Sequence, residues 1–329
     1  MQEIMKKKAL ELLSCGTVDR VLGWEKGEFD YDITPAVFDN AEDIEKNLVY
    51  GAFCGGNLSK YLVKESKKEG KILVFLKPCD SYSFSQLIKE HRVIRENIYA
   101  VGIECFGKAD IDIVKEKTGI ATVKKITERD GVLTVYGLGE ISKELPIYEA
   151  MLEKCVSCKS KKHPVYDELL CEEGEKVEDC NRFDAVTALE NMTPDQRYEF
   201  WRNELSKCIR CNACRNACPA CTCEKCVFDN DASGVAQKAA VTSFEENMFH
   251  IIRAFHVAGR CTDCGECSRV CPQNIPLHLL NRKFIKDINE LYGEYQAGEE
   301  SEGRTPLTNF TYTDAEPSVV HERGGKDNA

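Results

Sequence analysis

The sequence predicts an α/β N-terminal domain with a parallel sheet, followed by an α+β two-cluster ferredoxin-like helical domain. Three observations carry this. Apolar runs at 48–53, 71–76 and 97–103 alternate with helical stretches at 57–67, 82–91 and 109–117. Continuous apolar strands between helices belong in a parallel sheet covered on both faces. The frame Cys208-x2-Cys211-x2-Cys214-x3-Cys218-Pro219 then recurs as Cys261-x2-Cys264-x2-Cys267-x3-Cys271-Pro272. This is the run that wraps cubane [4Fe–4S] clusters in bacterial two-cluster ferredoxins.

The elements follow in order. Residues 1–13 form an amphipathic helix. Short strands lie within 16–39, around the turn Glu25-Lys26-Gly27-Glu28. A helix at 41–46 has Asn40 as N-cap, and the three strand–helix pairs come next. Residues 121–126 and 131–136 pair as a hairpin around Arg129-Asp130-Gly131. Thr193-Pro194-Asp195-Gln196 is a capping box with proline at N1. It opens a helix with Tyr198, Trp201 and Leu205 on one face. The expected domains are 1–150 for the α/β part and 151–192 for a cysteine-bearing connection. The dicluster domain takes 193–296, and an extended acidic arm takes 297–329.

The close spacings let three thiolates of one tight loop reach three irons. The fourth cysteine, on the following helix, ligates the other cluster. One cluster therefore takes Cys208, Cys211, Cys214 and Cys271, and the other Cys261, Cys264, Cys267 and Cys218. Two zinc ions are the competing reading, but zinc needs only paired x2 spacings and no repeated three-plus-one frame.

Cys54, Cys79 and Cys105 each follow one strand of the alternation, where ligands gather in open α/β sheets. They are expected to share one site; the alternative is three small buried residues. With Cys155, Cys158, Cys221, Cys223 and Cys226 they suffice for one or two further clusters. One partition joins the strand-end cysteines to Cys155 or Cys158, with the other of that pair joining Cys221, Cys223 and Cys226. Another builds a zinc site from Cys155, Cys158, Cys223 and Cys226. Cys15, Cys171 and Cys180 are spare. Gly55, Gly56 and Asn57 open a helix after a strand and are candidates to hold the phosphate of FAD. His250 and His256 are expected to cap or pack, and His163 is an outside zinc candidate. Arg210, Arg215, Arg260 and Arg269 flank cluster cysteines, as levers on potential or as surface charge.

The chain has 329 residues and a net charge of −11, a poor match for nucleic acid. It has no stretch long enough for a membrane span. Its start lacks the apolar core of a signal peptide. The location expected is cytoplasmic, reducing and anaerobic.

Several blocks resemble an iron–sulfur subfamily related to the beta subunits of deazaflavin-coenzyme-reducing hydrogenases and formate dehydrogenases. They are Leu76–Ser81, Val101–Gly107, Cys155-Val156-Ser157-Cys158 with His163–Asp167, and Cys208–Arg215. Cys218–Cys223, Phe249-His250 and Gly259–Cys261 continue the likeness, which spans roughly residues 40–315. Here the cluster domain follows the α/β domain instead of preceding it, and cysteines are more numerous. The resemblance implies an electron-transfer subunit beside larger hydrogenase, formate dehydrogenase or heterodisulfide reductase-like subunits, including electron-bifurcating assemblies. It also implies FAD. The alternatives are a flavin-containing oxidoreductase subunit reducing its own soluble carrier, and a zinc-stabilised scaffold with structural clusters.

Overall fold

The computed structural model describes residues 1–159, 162–172, 174, 181–230 and 243–308. Cys180 and residues 309–329 of the expected arm lie outside the described residues.

Helix α1 (Gln2–Ser14) buries Met5, Ala9 and Leu12 at helical spacing. Strands β1 (Arg20–Lys26) and β2 (Ile33–Phe38) pair antiparallel. In α2 (Ala41–Asn47) the Asp43 N–H donates to Asn40 Oδ1 at 2.9 Å, the expected cap. Strand β3 (Leu48–Val49) is a two-residue stub. The helices α3 (Ser59–Glu65), α4 (Pro78–Lys89) and α5 (Ile111–Thr118) alternate with β4 (Ile72–Leu76) and β5 (Ile98–Gly102). Every residue of β4 is buried, which is why its sequence is continuously apolar.

The main sheet has the order β2-β1-β4-β5-β9, where β9 is Glu168–Leu169. Strands β1, β4, β5 and β9 run parallel. This corrects one expectation. Residues 48–53 are not the first parallel strand, because β3 pairs antiparallel with β1 and stops at Val49. The place beside β4 goes to β1, whose longer apolar run Val21–Trp24 fills the core with Phe75 and Leu76.

A second sheet of β6 (Lys125–Arg129), β7 (Val132–Tyr136) and β8 (Ser142–Pro146) covers its own apolar cluster with Val114 of α5. Asp130 and Gly131 both have positive φ, 51° and 78°, as a two-residue hairpin turn requires. The third strand of this sheet was not anticipated; Ser142–Glu144 are exposed and give no apolar signal.

The C-terminal half is helical. Helix α6 (Glu153–Val156) starts the connection. It is followed by α7 (Asp184–Glu190), α8 (Pro194–Leu205), α9 (Ala213–Asn216) and α10 (Ser243–His256). Helices α11 (Glu266–Arg269) and α12 (Leu277–Tyr292) close it. Thr193 and Gln196 form the capping box of α8. Trp201 and Leu205 face the helical core, whereas Tyr198 is exposed.

The two halves are joined by polar contacts. Ser83 Oγ meets Thr262 Oγ1 at 2.9 Å, and Arg260 pairs with Glu90 through two nitrogens. The first residues of the expected free arm also pack: Gln296, Ala297 and Gly298 are buried, and a Cβ at Gly298 would overlap the Tyr82 carbonyl of α4. Among the described residues no helix is long and apolar enough to cross a membrane.

Candidate metal centre

Each cysteine frame bends through a left-handed residue just before its short helix. Asn212 (φ 61°) precedes α9 and Gly265 (φ 66°) precedes α11. The bends turn the loops back on themselves, so each loop's thiols converge. Cys208, Cys211, Cys214 and Cys271 line one cavity. Cys218, Cys261 and Cys264 line a second, with Glu90 and Arg260. Cys267, on α11, is buried and sits close enough to Cys218 for their thiolates to oppose one another. The last cysteine of each frame therefore lies at the other frame's loop.

A third cavity lies where the sheet's carboxyl edge meets the helical half. Cys79 reaches it from the start of α4, after β4, and Cys105 from the loop after β5. Cys155 and Cys158 complete the group from the connection. Both cysteines of the Cys155–Cys158 pair are thus drawn here. Cys54 is not. It follows the antiparallel stub β3, is buried in the apolar core and lines a different cavity with Tyr50 and Glu128. Its thiol accepts from the Gly51 N–H at 3.3 Å.

The zinc grouping of Cys155, Cys158, Cys223 and Cys226 is not assembled at this cavity, which Cys223 and Cys226 do not line. Cys223 is exposed, and Arg215, beside Cys226, pairs with Asp229 at 2.8 Å. Among the described residues no three His, Cys, Asp or Glu side chains gather tightly enough for one metal ion. Thiolates around a single zinc stand about 2.3 Å from it. A cubane places each thiolate on a different iron and spreads them wider.

Cations wall the third cavity. Lys77, Lys108, Lys154, Lys159 and Arg182 line it. Lys77 is held by Asp80 at 2.8 Å, by the Gly56 carbonyl at 2.8 Å and by the face of Trp24 at 4.1 Å. Lys108 donates to the Gly51 carbonyl at 2.9 Å over the Tyr50 ring. Lys154 pairs with Glu266 and donates to the Gly55 carbonyl at 2.8 Å. Burial would raise the Glu266 carboxyl, but Lys154 and Arg269 hold it down at about 2. Asp263 is held by Arg182 at 2.7 Å and Arg282 at 3.0 Å. None of these lysines was singled out from sequence, because a lone lysine reads as surface until its burial is known.

Gly55 and Gly56 are explained by packing. A Cβ on Gly55 would press on Leu152 and Arg269, and one on Gly56 on Pro35. Their carbonyls accept from lysines, and the Gly55 N–H is used on Phe53 O. Asn57 Nδ2 donates to Ser83 Oγ at 3.0 Å. Packing thus accounts for both glycines, and the Gly55 N–H is not available to a phosphate. His163 packs against the Leu76 carbonyl at 3.0 Å, and His256 is exposed.

The thiols fit a metallocluster chemically. Burial pushes Cys79, Cys155, Cys261 and Cys264 up from the ordinary thiol range, and Cys214 to about 11. Protonated thiols must lose their protons on ligation, so loading releases acid. Buried Arg253 opposes this burial. It donates to the Cys214 carbonyl at 3.2 Å and faces the thiolates of Cys267, Cys218 and Cys214.

Comparison with known proteins finds a cluster domain over the twin frames. The model of a 4Fe-4S dicluster domain matches residues 204–275. The F420-dependent formate dehydrogenase subunit beta of Methanocaldococcus jannaschii is 25% identical, covering 86% of this chain and 88% of its own. The F420-dependent formate dehydrogenase 1 subunit beta of Methanococcus maripaludis is 24% identical, covering 90% of each. Among solved structures, the F420-reducing [NiFe] hydrogenase complex of Methanosarcina barkeri superposes with a TM-score of 0.40 at 14% identity, over 63% of this chain and 86% of that one. Over most of its length, then, this chain is similar to the beta subunits of F420-dependent formate dehydrogenases, and its residues 204–275 match a 4Fe-4S dicluster domain.

Proposed function

We propose that this chain is an iron–sulfur electron-transfer subunit of a formate dehydrogenase- or hydrogenase-type oxidoreductase complex. Its relatives are named as subunits of F420-dependent formate dehydrogenases. The observation that carries the reading is the arrangement of the three cysteine cavities in a row. Thr262 and Cys264 line both the third and the second cavity. Cys214 and Cys267, from the first and second groups, pack in one apolar cluster.

The ligand sets are Cys79, Cys105, Cys155 and Cys158; then Cys218, Cys261, Cys264 and Cys267; then Cys208, Cys211, Cys214 and Cys271. A cubane bound at each supplies one-electron chemistry. The protein offsets the added negative charge with Lys77, Lys108 and Lys154 at one end and with Arg253 between the two ferredoxin loops. Charge buried from water requires such partners. Cys221 touches Cys218 beside the second site, and Cys223 and Cys226 line none of the three cavities.

Anaerobic purification with iron, zinc and flavin analysis tests this. About twelve irons per chain, no stoichiometric zinc or flavin, and co-purification with a larger redox subunit are expected. Iron near eight would remove the third site. Stoichiometric flavin with turnover by the isolated chain would replace the relay with a flavoenzyme.

A further inference from the structure

The cavity of Cys208, Cys211, Cys214 and Cys271 is walled by side-chain donors that have nothing to donate to. Arg210 and His250 line it, and both are more than nine-tenths buried. Arg210 Nε, Nη1 and Nη2 and both ring nitrogens of His250 lack a hydrogen-bond partner. The Arg210 guanidinium lies over the Phe249 ring at 4.6 Å, which fixes its plane without satisfying its N–H groups. Asn212 Nδ2, on the same wall, is also unpartnered. Buried donors without acceptors are costly. Their gathering on one wall calls for an acceptor in the cavity.

Arg215, Arg260 and Arg269 are committed elsewhere, whereas buried Arg253 faces thiols of both ferredoxin loops. Arg215 pairs with Asp229, Arg260 with Glu90 and Arg269 with Glu266. Arg260 is the arginine that lines the second cavity. The two ferredoxin loops share one sequence frame but differ in this respect.

We propose that Arg210 and His250 donate N–H hydrogen bonds to the sulfurs of a cluster held by Cys208, Cys211, Cys214 and Cys271, and so raise its reduction potential. This rests on the cluster reading above. An N–H group facing sulfur, and more so a guanidinium in a dry cavity, stabilises the form carrying the extra electron.

The test is an anaerobic potentiometric titration of the full chain, followed by electron paramagnetic resonance. The signal of this site is the one lost in Cys208→Ser. His250→Leu and Arg210→Met should each shift its reduction equilibrium at least tenfold toward the oxidised form, about 59 mV for one electron. The other signals should stay in place, and His250→Gln, which keeps an N–H, should recover part of the shift. Wild-type protein carrying ring-15N-labelled histidine should show nitrogen coupling to the reduced cluster. That measurement decides the matter if a variant loses its cluster. Unchanged potentials, or a cluster signal without nitrogen coupling, would overturn the inference alone. No signal lost in Cys208→Ser would overturn the cluster reading beneath it.

Discussion

Replacing Cys105 and Cys54 in turn separates the site that the fold assembles from the one that strand counting suggests. Cys105 lines the third cavity with Cys79, Cys155 and Cys158. Cys105→Ala leaves three thiolates for a group that takes four, so iron should fall by about four per chain, one cubane's complement. Lys77 and Lys154 would keep Asp80 and Glu266 as partners, and Lys108 would keep only the Gly51 carbonyl and the Tyr50 ring. Cys54 is 1% exposed and packs among the apolar core. Cys54→Ala removes one buried heavy atom, comparable with Ile→Val, and should cost about 1 kcal/mol of stability with iron unchanged. The assay is iron per chain on anaerobically purified protein, with an unfolding midpoint for each variant. Loss of four irons from Cys54→Ala with full iron in Cys105→Ala would refute the assignment and restore the strand-end trio.

Two further outcomes follow from the same geometry. Cys218→Ser should abolish the signal of the Cys261 loop and spare that of the Cys208 loop, since Cys218 lines the cavity of Cys261 and Cys264; magnetic resonance of the reduced variant checks this, and the opposite loss would refute crossed ligation. Lys154→Met leaves Glu266 buried with only Arg269, at 2.8 Å, as partner, so the cost should fall near the low end of the range for breaking a buried pair, about 3 kcal/mol. Anaerobic unfolding measures it, and adding Glu266→Gln should recover most of the loss.

What could be read from sequence was what local spacing encodes. The twin frames specify two tight loops because their cysteines lie within a few residues of one another. The one-turn helices α9 and α11, however, carry the third cysteines, Cys214 and Cys267, and the fourth, Cys218 and Cys271, lie just beyond the helices that were expected to hold them. Strands β4 and β5 were legible because both are buried on both faces and so stay apolar throughout. Strand β3 misled because Leu48-Val49-Tyr50 has the same composition, while its antiparallel pairing with β1 is a tertiary fact. That single misplacement carried Cys54 into the wrong group. The cations were illegible for a related reason. Lys154 meets Glu266, and Arg182 meets Asp263, across long sequence separations, and no local pattern marks either residue as buried.

The third cavity also says how the halves depend on each other. Its thiols come from two strand ends and from the connection, and its far wall is the loop Thr262-Asp263-Cys264. Neither half can close it alone. The contacts across this boundary are largely charged or hydroxyl groups: Lys154 with Glu266, Arg260 with Glu90, and Ser83 with Thr262. Such pairs gain little net stability because desolvation offsets their attraction. They do fix geometry, since each partner accepts only one direction of approach. A metal group bound by the four thiols would therefore supply the cohesion that these contacts lack, because binding to a site absent from the unfolded chain adds directly to folding free energy. Loading of such a group would therefore be coupled to docking of the two halves.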